Sequence, residues 1–390
     1  MSTRWGVRAG LIGGLTALLI AGAGLGAASA TPVNTVVATI SIGSNPLNIT
    51  LVAGTAYAVN SGSNTMSVIE TTTNTVTATV PVGGGPDDVA VAGGRAYVTN
   101  SGGNTVSVIN LTANTVVATI PTTNPRGIAI ADRYAYVANT SADTVSVIDT
   151  TTNTVTTAIP VRADPVGIAI ANGYAYVTNY GSNNVSIINT ADNSVTATVP
   201  VGTGPDSVTV SDGYAYVTNL DGDSISVIDT SSRNVAKTIT LGARYAPRGI
   251  AVVGATAYVA AFETDEVLVI DTITSAITAK ITAGDGPFGI AVAGGYAYVT
   301  NFWSGTVTVI YVGGDEVAPS GSADGPPPVL QQFGAPASVS CIDAASPELN
   351  WAGVGSDGWS LSWAQWMNDG AGGAVCTRTL VHTTAGWRAQ

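Results

Sequence analysis

The chain has 390 residues, of which 45% are hydrophobic and only 10% are charged, and its formal net charge at pH 7 is −12. An acidic chain whose few basic residues are scattered is a poor partner for nucleic acid, so we expect none to bind. The abundance of Val, Thr and Gly favours an all-β fold over one built from amphipathic helices.

The first 30 residues have the pattern of a secretory signal. Arg4 and Arg8 precede a run rich in Gly, Ala and Leu, and Ala28-Ser29-Ala30 ends the segment as a small-residue cleavage site. We therefore expect residues 1–30 to be a cleaved signal peptide and the mature protein to be secreted or associated with the cell envelope. An uncleaved membrane anchor is the alternative. No later stretch is long and apolar enough to span a bilayer, so we expect no transmembrane segment after cleavage.

Residues 31–312 repeat one phrase seven times, at intervals of 39 to 42 residues. Each copy holds four short runs of β-branched and aromatic residues, called strands a to d here, separated by Gly, Asn or Asp. A tyrosine in strand b marks each copy, and a proline always precedes it by 11 residues. This period and this strand count are typical of propeller blades. The tyrosines are Tyr57, Tyr97, Tyr136, Tyr176, Tyr216, Tyr258 and Tyr298.

The ends of the repeat predict how the ring closes. The seventh copy has strands a, b and c but no strand d, whereas residues 35–42 (TVVATISI) match the strand d of the first copy, residues 75–82 (TVTATVPV). The sequence therefore predicts a seven-bladed β-propeller in which the N-terminal strand pairs within the last blade, leaving no open edge between the first and last blades.

The phrase AYVTNSGGNTVSVIN at residues 96–110 and its copies resemble the YVTN-type β-propeller repeat family of bacterial extracytoplasmic and archaeal surface-layer proteins. The resemblance covers residues 34–312 and implies a seven-bladed propeller. It implies no single activity, because relatives have been linked to surface structure, to ligand binding and to enzymology.

The composition changes after the ring. Residues 313–335 are rich in Gly and Pro and are predicted to be a linker. Residues 336–390 hold five of the seven Trp residues and are predicted to form a small β-rich module. Cys341 and Cys376 are the only cysteines, and in an exported chain we expect them to form one disulfide. The module resembles small C-terminal modules of secreted proteins of high-GC Gram-positive bacteria.

Strand direction places the loops between strands d and a, and between strands b and c, on one face of the ring, called the top face. The copies differ most in these loops, and repeats that vary on one face usually bind there. The alternative is that the bulky side chains only cover seams between blades. The candidate binding residues are Tyr180, Phe262, Phe302, Trp303, Arg126 and Arg248.

Acidic residues of the top loops form a second candidate site. If they converge on the mouth of the central channel they would hold a divalent cation such as Ca²⁺, the only cofactor considered; the alternative is that they build turns and solubilise the surface. The repeats contain no His, which excludes a histidine-ligated copper or haem and a Ser-His-Asp triad there. The candidate metal ligands are Asp87, Asp88, Asp164, Asp206 and Asp285.

These observations favour an exported binding or scaffold protein, expected to be a monomer, whose top face binds an envelope or extracellular protein or a glycan. Two alternatives stay open: a metal-assisted, lactonase-like hydrolase at the channel mouth, and a purely structural surface protein.

Overall fold

The computed structural model describes residues 32–313 in full, and it describes the backbone of four strands between residues 341 and 389. The predicted signal peptide and almost all of the predicted linker lie outside the described residues. The described part of the chain contains no helix that is long and apolar enough to cross a membrane.

Residues 32–313 form seven four-stranded antiparallel sheets, the blades of a β-propeller. Blade 1 has β2 (Pro46–Val52), β3 (Thr55–Asn60), β4 (Thr65–Glu70) and β5 (Thr75–Pro81). Blade 2 has β6 (Pro86–Ala92), β7 (Arg95–Asn100), β8 (Thr105–Asn110) and β9 (Thr115–Pro121). Blade 3 has β10 (Pro125–Ala131), β11 (Tyr134–Asn139), β12 (Thr144–Asp149) and β13 (Thr154–Pro160). Blade 4 has β14 (Pro165–Ala171), β15 (Tyr174–Asn179), β16 (Asn184–Asn189) and β17 (Ser194–Pro200).

Blade 5 has β18 (Pro205–Ser211), β19 (Tyr214–Asn219), β20 (Ser224–Asp229) and β21 (Asn234–Thr240). Blade 6 has β22 (Pro247–Val253), β23 (Thr256–Ala261), β24 (Glu266–Asp271) and β25 (Ala276–Thr282). Blade 7 has β26 (Pro287–Ala293), β27 (Tyr296–Asn301) and β28 (Thr306–Tyr311), and its outer strand is β1 (Thr35–Ser41), which pairs antiparallel with β28. Single 3₁₀ turns occur at Thr140–Ala142 and Tyr180–Ser182.

The hydrophobic core lies between neighbouring blades. Strands b and c are buried on both faces, because each blade is covered by the next one on either side, whereas strand d is largely exposed at the rim. One such cluster joins Tyr97, Val106 and Ile120 of blade 2 to Ile128 and Val137 of blade 3. Because the Val- and Ile-rich strands b and c bury side chains in both directions, they read as nearly continuous apolar runs.

In most blades, the repeated tyrosine connects the blade to the next one. The Tyr97 ring is buried, and its hydroxyl donates a hydrogen bond of 3.2 Å to the Thr150 carbonyl in the bottom turn of blade 3. Tyr298 of blade 7 makes the same bond to the Thr71 carbonyl of blade 1. A buried Tyr needs a partner for its hydroxyl, and the neighbouring bottom turn supplies one.

The repeated asparagine at the end of strand b is a buried hub. The Asn179 amide donates to the Asn184 side chain and to the Ser186 hydroxyl of strand c, and in blade 7 the Asn301 Oδ1 also accepts the Gly284 N–H of the d–a loop. In blade 6, Ala261 replaces the asparagine, and Glu266 and Leu268 replace its two partners. The three positions change together because removing one of them would leave a buried polar group without a partner.

The second unit of the chain contains a separate antiparallel sheet. Its strands are β29 (Cys341–Ile342), β30 (Ser360–Met367), β31 (Ala374–Thr383) and β32 (Gly386–Ala389). The central strand β31 pairs with each of the other three, and its register places Cys376 opposite Cys341. The disulfide between these cysteines stays a prediction.

Candidate binding site at the top of the channel

Hydrogen bonds between loops define the two faces of the ring. In blade 4, the Tyr180 N–H of the b–c loop donates to the Asp164 carbonyl of the d–a loop at 2.9 Å. On the opposite face, the Thr190 N–H of the c–d turn donates to the Gly173 carbonyl of the a–b turn, also at 2.9 Å. Both patterns recur around the ring, so the two variable loop types share the top face, as the sequence predicts.

The top loops use Asn and Asp to brace one another. The last residue of a b–c loop adopts a left-handed conformation, and its side chain accepts an N–H from the following d–a loop. Asp143, with φ 54°, accepts from the Asp164 N–H at 3.0 Å. Asp223, with φ 42°, accepts the N–H groups of Arg244, Tyr245 and Ala246. These carboxylates build loops, since short polar side chains both tolerate this conformation and satisfy backbone donors.

The residue that follows each proline lies where strand a begins, at the top of the central channel. In five of the seven blades it lines the channel cavity, and neighbouring blades have different residues at this position. We call these seven residues the mouth ring. A cavity of about 330 Å³ lies within the innermost strands, and its wall includes Asp87, Arg126, Asp206 and Phe288 of the ring together with Asp88. The mouth ring consists of Leu47, Asp87, Arg126, Val166, Asp206, Arg248 and Phe288.

Threonines of the YVTN phrase hold the mouth ring in place. The Thr178 hydroxyl donates to the Asp206 carbonyl of the next blade at 2.8 Å and accepts the Gly167 N–H of its own blade at 2.7 Å. Thr218 donates to the Arg248 carbonyl in the same way, at 2.8 Å. A threonine that four of the seven blades share at this position thus positions variable residues of the mouth ring.

Two acid–arginine pairs occupy consecutive blades of the mouth ring. In blades 5 and 6, Asp206 and Arg248 form a salt bridge of 3.0 Å. The Arg248 guanidinium also lies 4.9 Å from the centre of the Phe288 ring and 5.4 Å from that of Phe262, within cation–π range. In blades 2 and 3, Asp87 and Arg126 have the same positions and order, but within the described residues they form no salt bridge.

Burial shifts the titration of the channel acids. Loss of hydration raises the pKa of Asp87 to about 6, although the nearby Arg126 lowers it, and the Asp206 carboxylate raises it further. Burial also raises the pKa of Asp88 to about 7, against the opposing effect of the Ile128 and Val89 N–H groups that its carboxylate accepts. Both residues retain some exposed surface, because water can enter the channel while protein surrounds them.

An aromatic patch adjoins the mouth ring on blades 6 and 7. The Phe302 and Trp303 rings meet edge to face at 4.6 Å between centres, and Phe262 lies 6.1 Å from Phe302. Phe288 and Phe302 also pack against the core between blades 1 and 2, so they do cover a seam. Trp303 differs, since 62% of its surface is exposed. The aromatic patch consists of Phe262, Phe288, Phe302 and Trp303.

The remaining predicted residues lie apart from the mouth ring. Tyr180 donates from its hydroxyl to the Asp221 carboxylate of blade 5 at 2.7 Å, and this hydrogen bond raises the pKa of Tyr180. Asp164 and Asp285 lie in exposed top loops, whereas Asp87, Asp88 and Asp206 line the channel. Within the described residues, no group of three His, Cys, Asp or Glu side chains comes together to hold a metal ion.

Phe288 is the site residue that the sequence analysis missed. The sequence does contain a signal for Phe288, because this residue follows the repeat proline at the same position as Asp87 and Arg248. A search for bulky residues after the YVTN phrase selects Phe302 and Trp303 but passes over Phe288, which lies on strand a.

Comparisons with known proteins identify the fold alone. No family model matches the chain, and no curated protein matches it, so membership of the YVTN-type repeat family stays a prediction. Among solved structures, the hydrazine synthase of Kuenenia stuttgartiensis is 21% identical with a TM-score of 0.64, covering 73% of this chain and 99% of that one. The virginiamycin B lyase of Staphylococcus aureus is 13% identical with a TM-score of 0.63, covering 70% and 98%. The computationally designed protein Ika8 is 9% identical with a TM-score of 0.55, also covering 70% and 98%.

Proposed function

We propose that this propeller is an exported binding module whose top face docks an envelope or extracellular partner, protein or glycan. The observation that carries the proposal is the exposed Trp303 beside the mouth ring, within a patch of four aromatic side chains. Exposed aromatic rings next to charged groups are typical of interface centres, because they bury a large apolar area at a low entropic cost. The turns of the bottom face are nearly the same in every blade, so that face offers little basis for specific recognition of a partner.

The residues around Trp303 hold it in this exposed position. Gly286 lies between the Trp303 and Phe262 rings, and a Cβ there would come within 2.7 Å of Trp303 Cδ1. The Trp303 N–H of the backbone donates to the Asp285 carbonyl at 3.0 Å. The aromatic patch is therefore preorganised, so binding would not have to fix it first.

Trp303→Ala tests the proposal directly. We expect the mature wild-type protein to capture a partner from envelope extracts, and the variant to bind the purified partner at least about tenfold more weakly, as truncation of an interface aromatic does. Ile273→Ala is the matched control, because Ile273 is 78% exposed in the c–d turn of blade 6, on the bottom face. Equal partner binding by both variants would refute the proposal.

Export belongs to the same proposal and is supported by the pattern of residues 1–30. Fractionation of the producing cells and N-terminal sequencing of the mature chain test it, and a start at Thr31 is expected. The hydrolase and the purely structural surface protein stay alternatives, to which the described residues add no supporting observation.

A further inference from the structure

Asp87 and Arg126 form an open pair of opposite charges in the channel. The Asp87 carboxylate accepts no hydrogen bond from the described residues, and no described carboxylate lies within 4.0 Å of the Arg126 guanidinium. The Arg126 Nε is buried and has no acceptor; the Arg248 Nε shares this feature, so the two pairs differ in the carboxylate contact. Both side chains line the same cavity.

Comparison with the second acid–arginine pair shows that the surroundings of Asp87 and Arg126, not the residue types, leave this pair without a salt bridge. Asp206 and Arg248 occupy equivalent positions of blades 5 and 6. There the Arg248 guanidinium donates to the Asp206 carboxylate at 3.0 Å. Arg248 is further held between its carboxylate partner and the Phe288 ring. Next to Arg126 the mouth ring instead continues with Val166, which provides neither a carboxylate nor an aromatic face.

Charges inside a protein cost free energy unless they are paired and hydrogen-bonded. An open pair in a cavity at the mouth of the channel thus lacks what a bound ligand would supply: an acceptor for the arginine and a donor for the aspartate. The cavity of about 330 Å³ is near the lower end of small-molecule sites, which span ~300–1,000 Å³. It has room for a small ligand only.

We propose that the channel binds a small zwitterion, with its carboxylate on Arg126 and its ammonium group on Asp87. The proposal rests on the proposed function in one respect, that ligands enter from the top face. The planar fork of Arg126 matches a carboxylate through two parallel hydrogen bonds. The Asp87 carboxylate accepts from the ammonium group. A free amino acid and a short peptide both offer this chemistry.

The surroundings of Asp87 agree with an ammonium partner. Arg126, Arg248, Asp206 and Asp88 are the charged groups that act on it, and burial raises its pKa to about 6. Asp87 is therefore mostly ionised at pH 7.5, and a bound cation favours the ionised form further. A carboxylic acid without an amine, or an amine without a carboxylate, would leave one of the two protein groups unpaired, which predicts selectivity for the zwitterion.

Titration calorimetry at pH 7.5 and low salt tests the proposal on the full mature chain. The probes are L-alanine, the dipeptide glycylglycine, propionate and ethylamine. We expect at least one zwitterion to bind, and the two singly charged probes to bind at least about tenfold more weakly. Binding of L-alanine alone would assign a free amino acid as the ligand, and binding of glycylglycine alone would assign a short peptide.

Variants assign the site. Arg126→Gln and Asp87→Asn are each expected to weaken zwitterion binding at least about tenfold. Arg162→Gln and Glu263→Gln change exposed charges in top loops and should leave it unchanged. Circular dichroism and the melting temperature verify that each variant folds. The proposal is overturned if no zwitterion binds the wild-type protein, or if binding survives both channel variants.

The two proposals fail separately. If no zwitterion binds but partner binding still depends on Trp303, the docking function is supported and the zwitterion site is refuted. If a zwitterion binds through Asp87 and Arg126 while Trp303→Ala and Ile273→Ala bind the partner equally, the channel site stands without the docking surface.

Discussion

The bottom turns and the channel mouth contain the same acidic residue in opposite environments. At the bottom of blade 5, the Asp229 carboxylate accepts the hydroxyl of Ser231 at 2.6 Å and the N–H groups of Ser231 and Ser232, and the Ser231 hydroxyl is the main cause of its lowered pKa. At the channel, burial raises the pKa of Asp87 and Asp88. Ionisation therefore stabilises the bottom turns and destabilises the channel. Stability explains the acids of the bottom face, whereas those of the channel require a reason other than stability.

The largest difference in stability between the channel and the bottom face is expected when a glycine is replaced by alanine. A Cβ on Gly167 would lie 2.4 Å from the Asp206 carbonyl oxygen of the next blade, so Gly167→Ala must push two innermost strands apart. We expect a loss of about 3 kcal/mol in the free energy of unfolding, as for overpacking of a tight interior. Gly173→Ala, in the bottom turn of the same blade, meets open space at φ +77° and should cost only about 1 kcal/mol of backbone strain. Urea denaturation measures both, and equal losses would contradict a tighter packing at the channel.

The acids should respond to pH with opposite signs. Asp88 holds its proton up to a pKa of about 7 in the folded protein, against 3.8 ordinarily, so its contribution to stability is complete below pH 4 and is lost as the pH rises to 7. Asp88→Asn should therefore gain about 1 kcal/mol or more of stability relative to the wild type between pH 4 and pH 8, because only the wild type has an ionised carboxylate at pH 8. The loss of one acceptor for the Val89 and Ile128 N–H groups costs the same at both pH values.

Asp229 provides the opposite case. Its pKa is lowered, so its stabilising contribution is present above its ordinary value of 3.8 and is lost as the pH falls through the folded-state value. Asp229→Ala should lower the melting temperature at pH 7. Thermal melts of both variants from pH 4 to pH 8 test the pair, and a stability difference between Asp88→Asn and the wild type that stays the same from pH 4 to pH 8 would contradict the burial of an unfavourable charge.

The smallest contrast concerns two threonines of blade 4. Thr178→Val removes the bonds that join Gly167 to the Asp206 carbonyl, and we expect a loss of about 1 kcal/mol, because these buried groups lose their partner. Thr190→Val removes an exposed bond to the Gly173 carbonyl, where water replaces the hydroxyl, and should cost less than about 0.5 kcal/mol. Chemical denaturation compares them, and an equal loss would show that Thr178 does not position the mouth ring.

The sequence by itself determined the number of blades, the four strands of each, and which loops share a face. These follow from a period of about 40 residues and from strand direction, which are local properties of the chain. It also selected Arg126, Arg248, Phe262, Phe302 and Trp303 as variable residues of the top face. The exchange of Asn179, Asn184 and Ser186 for Ala261, Glu266 and Leu268 in blade 6 was present in the sequence too, but its meaning required the contact between strands b and c.

Only the tertiary structure decided how residues of different blades meet. The sequence contains two acid–arginine pairs at equivalent positions of consecutive blades. Asp206 and Arg248 form a salt bridge of 3.0 Å, whereas Asp87 and Arg126 form none. The sequence did not separate Trp303, which is exposed, from Phe302, which packs on the core of blades 1 and 2. The physical reason is that each of these facts depends on distances between strands of different blades, which are far apart in the chain. Such distances are set by how the blades pack around the channel, which no single repeat encodes.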